Sequence, residues 1–264
     1  MRMKGKTALI AGASRNIWRE IALTFAREGA DVIVVARQHE EELKQVAREC
    51  EQLGAKALPI CADLGNHEAV GRMVQQGLDR FGKVDASVSV AAIRPHKPFW
   101  EISVEEWHQV FEVNLHSTFY LAKALAPSMM KRGTGGSFVA LGGIAALTAQ
   151  PERAHVIASK TGLYGLVKAL ALELGPYNIR ANLIAVGLID TERRHPDWYP
   201  EGGGKPIGLD GVKEDGTPIG RAEGSPLQRT GRMDEVAKVA LFLASDESSF
   251  VTGDRIICAG GRYM

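Results

Sequence analysis

The sequence predicts a single doubly wound α/β domain, with a parallel sheet of about seven strands and helices on both faces. Three observations lead to this fold class. Short apolar runs alternate with helically periodic stretches, the run Asp31–Ala36 is nearly continuous in hydrophobic residues, and the first run passes through a glycine turn into a helix. Such βαβ units cross over right-handedly, so that ligands bind at the carboxyl edge of the sheet.

Each element follows from its local pattern. The apolar runs predict strands at Thr7–Ala11, Asp31–Ala36, Lys56–Ile60, Asp85–Val90, Gly136–Leu141, Ile179–Ala185 and Arg255–Cys258. Helical spacing predicts helices from Ile17 towards Gly29 and at Glu40–Leu53, His67–Phe81, Val104–Trp107, Phe111–Lys131, Glu152–Leu174 and Glu235–Ala244. One domain is predicted over 1–264, and its Gly- and Pro-rich segment 190–229 is interpreted as a substrate-loop insertion.

Composition excludes several classes of function. The net charge is +1, which implies no general attraction to nucleic acid or to acidic membranes. No apolar run is long enough to span a bilayer, and the N-terminal stretch is a poor signal peptide. Three widely spaced cysteines are typical of reduced thiols, so we expect a cytoplasmic protein without a metal site.

The turn after the first strand, in TALIAGASRNIWRE, has the setting of a phosphate-binding loop. Gly12 occupies the first glycine position of such a loop. The next two glycine places hold Asn16, which tolerates a left-handed backbone, and Trp18, whose bulk can close the site or point off the helix.

From Gly5 to Gly261 the order of motifs resembles the short-chain dehydrogenase/reductase family, which implies a Rossmann-like fold and hydride transfer between a nicotinamide and a carbonyl or alcohol. The resemblance assigns an adenine contact to Asp63-Leu64, a proton-relay position to Asn114, the active-site lysine to Lys160, and a carboxamide loop to Gly187 and Thr191. It also assigns nucleotide contacts to the first turn, at Gly12, Ser14, Arg15, Asn16 and Ile17.

The chain departs from the family pattern at its reaction centre. The tyrosine position, four residues before Lys160, holds Val156, and the serine position holds Gly143. Further departures are the run Ser89-Val90-Ala91-Ala92, Val186 before Gly187, and the run Ala259-Gly260-Gly261.

A tyrosine beside a lysine can exchange a proton with the substrate, and valine cannot. His155 is a candidate surrogate acid–base group, although one residue along a helix is about 100° of rotation, and a surface or subunit-contact histidine is the alternative. His96 and Lys97 either reach the pocket mouth or are solvated charges. The long segment opens with Arg193, Arg194, His195, Trp198 and Tyr199, at the place where the resemblance implies a mobile substrate lid. The two arginines suit an anionic substrate, and a plain solvated loop is the alternative.

The second strand ends at Ala36 rather than at the acid that is typical of NAD sites. Arg15 and Arg37 favour the 2′-phosphate of NADP(H) over NAD(H), unless they are ordinary surface arginines. No cofactor binds if Trp18 closes the site.

Three functions remain open: an NADP-linked oxidoreductase acting on a small molecule with a rebuilt proton donor, a non-catalytic subunit of an active sister chain, and a non-redox lyase, dehydratase or isomerase. The resemblance implies a homo- or hetero-oligomer, a dimer or tetramer, through the helices at 111–131 and 154–174, where Ala158, Gly162 and Gly165 allow close approach.

Overall fold

The computed structural model describes residues 1–89, 92–191 and 225–263. The described chain forms a seven-stranded parallel sheet in the order β3-β2-β1-β4-β5-β6-β7. The strands are β1 (Thr7–Ala11), β2 (Asp31–Ala36), β3 (Ala57–Cys61), β4 (Ala86–Ser89), β5 (Gly136–Gly143), β6 (Ile179–Val186) and β7 (Arg255–Cys258). The helices are α1 (Asn16–Arg27), α2 (Glu40–Gln52), α3 (His67–Phe81), α4 (Val104–Phe111), α5 (Ser117–Arg132), α6 (Ala145–Thr148), α7 (Ala154–Leu174) and α8 (Met233–Ala244).

The sheet is buried on both faces, as the continuous apolar strands predict. One hydrophobic cluster joins α1, α2 and α8 to one face, and a second joins α3, α5 and α7 to the other. The predicted doubly wound fold is therefore confirmed. No helix among the described residues is long and apolar enough to cross a membrane.

The strand order reverses between β1 and β4, where Ala11 pairs with Ser89. The loops that follow β1 and β4 leave the sheet in opposite directions at such a switch point and open a crevice. Gly143 and Val186 are paired at the carboxyl ends of β5 and β6. The fold thus brings the turn at Gly12, the loop after β4, the end of β5 and the start of the 187–191 segment to one edge.

Three local predictions need correction. The long helix predicted at Phe111–Lys131 is interrupted by a π turn, Glu112–His116, before α5 begins. The helix predicted from Glu152 begins at Ala154, because Glu152 has a left-handed backbone with φ 61°. The short helix α6 lies between the predicted strand Gly136–Leu141 and the predicted helix Glu152–Leu174, where the sequence predicts no helix. Hydrophobic periodicity does not register a single π turn or a one-turn helix.

Candidate active site

The glycine turn keeps the backbone of a phosphate-binding loop. Gly12 has φ 101°, and its N–H donates to Val35 O at 2.7 Å. Asn16, the first residue of α1, has φ 54°, so it adopts the left-handed conformation expected of the glycine it replaces. The turn with Ser14 and Ile17 therefore leads directly to a helix N-terminus, which favours an anion.

Trp18 lies in the first turn of α1 and is half-buried. Its indole packs against the hydrophobic cluster that joins α1 and α8 to the sheet. Part of its apolar surface therefore has a partner in the core, which is the reason why α1 tolerates this residue beside the glycine turn.

Arg37 follows the end of β2 and Arg15 lies in the glycine turn before α1, as the sequence predicts, and both side chains have carboxylate partners. Arg37 Nε lies 3.3 Å from Asp63 Oδ2, and Asp63 Oδ1 also accepts the N–H of Gly65. Arg15 Nε lies 3.7 Å from Glu42 Oε2, and its Nη2 lies 3.2 Å from the ring Nε2 of His39. Exposed ion pairs of this kind contribute about 0–1 kcal/mol, so an incoming phosphate displaces them at little cost.

Among the cations of the site, Lys160 has the pKa that is shifted furthest from its ordinary value. Its side chain is 8% exposed, and its ammonium donates to the main-chain oxygen of Leu141 on β5 at 2.9 Å. Burial, and to a lesser degree the positive charge of Arg94, lower the pKa of Lys160 to about 7. A lysine ammonium has three donors, and the described residues offer an acceptor to one of them.

Asn114 fixes the loop after β4 against α7 from the π turn Glu112–His116. Its amide oxygen accepts the N–H of Ile93 at 2.8 Å, and its amide nitrogen donates to Ile93 O and to Ser159 Oγ. Ser159 is fully buried and donates in turn to Val156 O at 2.9 Å. The sequence analysis missed Ser159, whose adjacency to Lys160 was the available signal.

Val156 and Lys160 lie four residues apart on α7, so they share one face of the helix. Val156 is 4% exposed and presents only methyl groups. Gly143 ends β5, and a β-carbon added there would approach nothing closer than Val186 O at 3.8 Å. The described site thus has no side-chain hydroxyl at these two positions, and at Gly143 it has space for a side chain.

His155 is 1% exposed, so the expectation of a surface histidine is wrong. Its Nδ1 is buried without a hydrogen-bond partner among the described residues. Desolvation lowers its pKa, while Glu106 raises it and Lys97 lowers it. Its electrostatic neighbours lie on α4 and on the loop after β4, in agreement with a rotation of about 100° away from Val156.

The loop after β4 carries Arg94, His96 and Lys97. Lys97 Nζ lies 2.7 Å from Glu106 Oε1, and its backbone N–H donates to Glu152 O at 2.9 Å. His96 contacts the guanidinium of Arg153. Lys97 therefore links the loop after β4 to Glu106 on α4 and to Glu152, and it is not a freely solvated charge. Arg94 is exposed, and no carboxylate of the described residues pairs with it.

Gly187 follows β6, and a β-carbon there would lie 2.7 Å from Ala259, so this position needs a glycine. Thr191 is the last described residue before the long segment, and its hydroxyl lies 3.4 Å from Ile189 O. The remaining predictions fall outside the described residues: Val90, Ala91, Arg193, Arg194, His195, Trp198 and Tyr199.

These residues fit a nicotinamide dinucleotide. The left-handed backbone at Gly12 and Asn16 shapes a phosphate seat, and Lys160 keeps buried donors for hydroxyl groups. Ala36 places no carboxylate against a 2′-phosphate. Nothing comparable exists for a metal, because the described residues contain no cluster of three His, Cys, Asp or Glu side chains.

Comparison with known proteins agrees with this geometry. A family model described as short chain dehydrogenase matches residues 6–200, and one described as Enoyl-(Acyl carrier protein) reductase matches 210–262. An L-rhamnose 1-dehydrogenase (NAD(P)(+)) of Sphingomonas sp. is 32% identical over 262 residues, 99% of this chain and 98% of the relative. A 3-oxoacyl-acyl-carrier-protein reductase of Thermotoga maritima is 34% identical over 261 residues, 99% of each chain. The crystal structure of a short-chain type dehydrogenase/reductase from Mycobacterium marinum superposes with a TM-score of 0.83, at 31% identity, and covers 98% of this chain and 96% of that one.

Proposed function

Because the chain belongs to the short-chain dehydrogenase/reductase family, an oxidoreductase family that uses NAD(P), we propose that it is an NADP(H)-linked oxidoreductase of a carbonyl or alcohol substrate. The observation that carries this proposal is Lys160, a buried ammonium with unused donors at the edge of the sheet where the glycine turn lies. A chain without a ligand there has no reason to bear the cost of burying that charge.

The proposed contacts combine the geometry of the described residues with the positions that the family resemblance assigns. The turn with Gly12, Ser14, Asn16 and Ile17 seats the pyrophosphate at the N-terminus of α1. Arg15 and Arg37 exchange their carboxylate partners for the 2′-phosphate. The other proposed contacts are the adenine contact of Asp63 and Leu64, the ribose contact of Lys160, and the carboxamide contact of Gly187 and Thr191.

When bound, NADP(H) supplies or accepts the hydride. Asn114 holds the loop after β4 against α7 and so keeps that wall of the pocket in place. The substrate is a small molecule with a carbonyl or hydroxyl group. L-rhamnose and a 3-oxoacyl thioester, which the names of two relatives indicate, are the first compounds to assay.

The positions that the resemblance assigns to tyrosine and serine hold Val156 and Gly143, so the proton must come from elsewhere. His155 is the candidate surrogate that the sequence suggests. Its lowered pKa keeps it neutral at pH 7, and its electrostatic neighbours are Glu106 and Lys97 on the α4 side of the helix. Because the His155 side chain is almost completely buried, it also contributes to the packing of α7.

A non-catalytic subunit is the second candidate. The observation that favours it is the absence of a hydroxyl at Val156 and Gly143, together with the indole of Trp18 beside the phosphate seat. Gly162 and Gly165 are exposed on α7, and a β-carbon at Gly165 would meet no atom within 4 Å. Such a flat face suits an oligomer through α5 and α7 in either case.

Calorimetric titration with NADPH and with NADH tests the cofactor. We expect micromolar binding of NADPH and at least tenfold weaker binding of NADH. Arg15→Ala and Arg37→Ala should each weaken NADPH by five- to twentyfold and leave NADH within twofold, because only NADPH carries the 2′-phosphate. Arg72→Ala, on α3, is the control. If a folded sample gives no heat of binding with either nucleotide, the result supports the second candidate, a non-catalytic subunit.

The double substitution Val156→Tyr with Gly143→Ser tests the reaction centre. Gly143 has room for a side chain, so the serine should be accommodated. Restoring a proton donor should raise the rate of NADPH oxidation by about 10²–10⁴-fold with a 3-oxoacyl thioester or another carbonyl substrate. Val156→Phe with Gly143→Ala is the matched control, since it adds similar volume without hydroxyls. The absence of NADPH oxidation by the unmodified chain and by both double variants, with NADPH bound, would contradict the proposed chemistry.

The proposed compartment is the cytoplasm. Cys50, Cys61 and Cys258 are all free thiols, as a reducing compartment requires.

A further inference from the structure

The geometry assigns the proton transfer of this reaction to Lys160: the ammonium that stands one helical turn after Val156 gives its own proton to the substrate oxygen in reduction and takes it back in oxidation. This inference rests on the proposed function, because it needs a hydride carrier at the same edge of the sheet.

The helix α7 places Lys160 on the same face as Val156. Side chains four residues apart on a helix lie one above the other, so Val156 and Lys160 face the same space. Val156 is almost completely buried and carries no exchangeable proton. The end of β5 adds none, because Gly143 has no side chain. The Lys160 ammonium therefore shares with Val156 the face of α7 against which an incoming substrate oxygen would lie.

The other described polar groups around Val156 are committed. The Asn114 amide bonds to both backbone groups of Ile93 and to Ser159. The Ser159 hydroxyl donates to Val156 O, one turn back along the helix. The Lys160 ammonium donates one N–H to Leu141 O. Its remaining donors are free to contact a ribose hydroxyl and a substrate oxygen at the same time.

His155 is less suited than Lys160 to give a proton to the substrate oxygen. It is adjacent to Val156, so its side chain leaves the helix about 100° away. Its orphaned Nδ1 and its charged neighbours place it against α4, not against the end of β5. At pH 7 a desolvated imidazole is neutral, so it has no proton to give in reduction.

The charges around Lys160 suit the task. Arg94, on the loop after β4, is the charged group that acts on its ammonium among the described residues, and it opposes the positive charge. Glu106 on α4 and Lys97 on the loop act instead on His155. With a pKa of about 7, Lys160 is present in both protonation states at neutral pH, which suits a group that serves both directions.

The step balances as follows. In reduction, Lys160 breaks one N–H bond to form the O–H bond of the alcohol, while the carbonyl carbon receives the hydride that NADPH gives up on its oxidation to NADP⁺. The π pair of the carbonyl becomes the new O–H pair. Lys160 is left as a neutral amine and regains its proton from water. Oxidation of the alcohol reverses each of these changes.

The first measurement is the pKa of Lys160 in the full chain. Lysine labelled with ¹³C at Cε gives one NMR signal for each lysine, and Lys160→Arg assigns the signal of Lys160. We expect it to titrate near pH 7. Arg94→Gln should raise that pKa, because it removes the opposing charge, whereas Arg72→Gln, on the distant α3, should leave it unchanged. A Lys160 signal that titrates above pH 9.5 overturns the inference.

The second measurement links the titration to turnover. With saturating NADPH and a 3-oxoacyl thioester, the reduction rate should fall as the pH rises through the pKa of Lys160, since reduction needs the ammonium. Arg94→Gln should move the rate profile and the NMR titration upward together. Lys160→Arg keeps the charge but holds its proton at every accessible pH, so it should lower the rate by about 10²-fold.

The outcomes separate the two proposals. A chain that binds NADPH but whose rate profile ignores the pKa of Lys160 overturns the proton transfer and leaves the proposed function standing. A chain that binds no NADPH overturns the proposed function, and the role of Lys160 falls with it. Full activity of Lys160→Arg across the pH range also overturns the inference.

Discussion

Replacing Lys160 with methionine should stabilise this protein at neutral and mildly acidic pH. The ammonium is buried, and its pKa falls from 10.5 to about 7, which corresponds to roughly 5 kcal/mol at 1.36 kcal/mol per pH unit. Methionine matches the length of the side chain without the charge, but it leaves Leu141 O without its hydrogen bond, which costs about 1–3 kcal/mol. The net expectation at pH 6 is a gain of about 3 kcal/mol in the free energy of unfolding.

The gain should depend on pH in a defined direction. Between pH 7 and 10.5 the unfolded chain holds the lysine proton and the folded chain does not, so the contribution of this group to stability rises with pH through that window. Below pH 7 both states are protonated and the full cost of the buried charge is present. The advantage of Lys160→Met should therefore shrink steadily from pH 7 towards pH 10.

Urea denaturation at pH 6, 8 and 10, followed by circular dichroism, measures this difference. Lys168→Met is the matched control, because Lys168 lies on the same helix and is exposed; we expect a change within about 0.5 kcal/mol at every pH. A loss of stability at pH 6 relative to this control, or a pH-independent effect, would refute the reasoning. Either result would mean that the ammonium has a stabilising partner.

Two further stability predictions concern His155 and Gly187. His155→Phe should flatten the fall in stability between pH 7 and pH 5: the folded-state pKa of His155 is lowered by burial, so the unfolded chain takes up its proton first as the pH falls. Exposed His108, replaced in the same way, should leave that fall as it is, and equal curves for both variants would contradict this account. Gly187→Ala should lower the midpoint of thermal unfolding by several degrees, about 1–3 kcal/mol, because its β-carbon would lie 2.7 Å from the turn after β7. Gly165→Ala, on an open helix face, is the control and should be neutral or stabilising.

The sequence alone was sufficient for the fold. The strand predictions at Thr7–Ala11, Asp31–Ala36 and Arg255–Cys258 have the bounds that the structure shows. Strands buried on both faces are continuous in apolar residues, which is a local signal that any reader of the sequence can find. The replacement of a glycine by Asn16 was also interpretable locally, because φ is a property of one residue.

What only the tertiary structure decided is where each charge stands. Helical periodicity gives the rotation of His155 but not what covers it, and the expected surface residue is buried between α4 and α7. Lys160 was identified by its spacing, yet its low pKa arises from burial beneath β5 and from Arg94, 66 positions earlier in the chain. Burial and Coulomb interactions depend on distances in space, and a one-dimensional pattern contains no such distances.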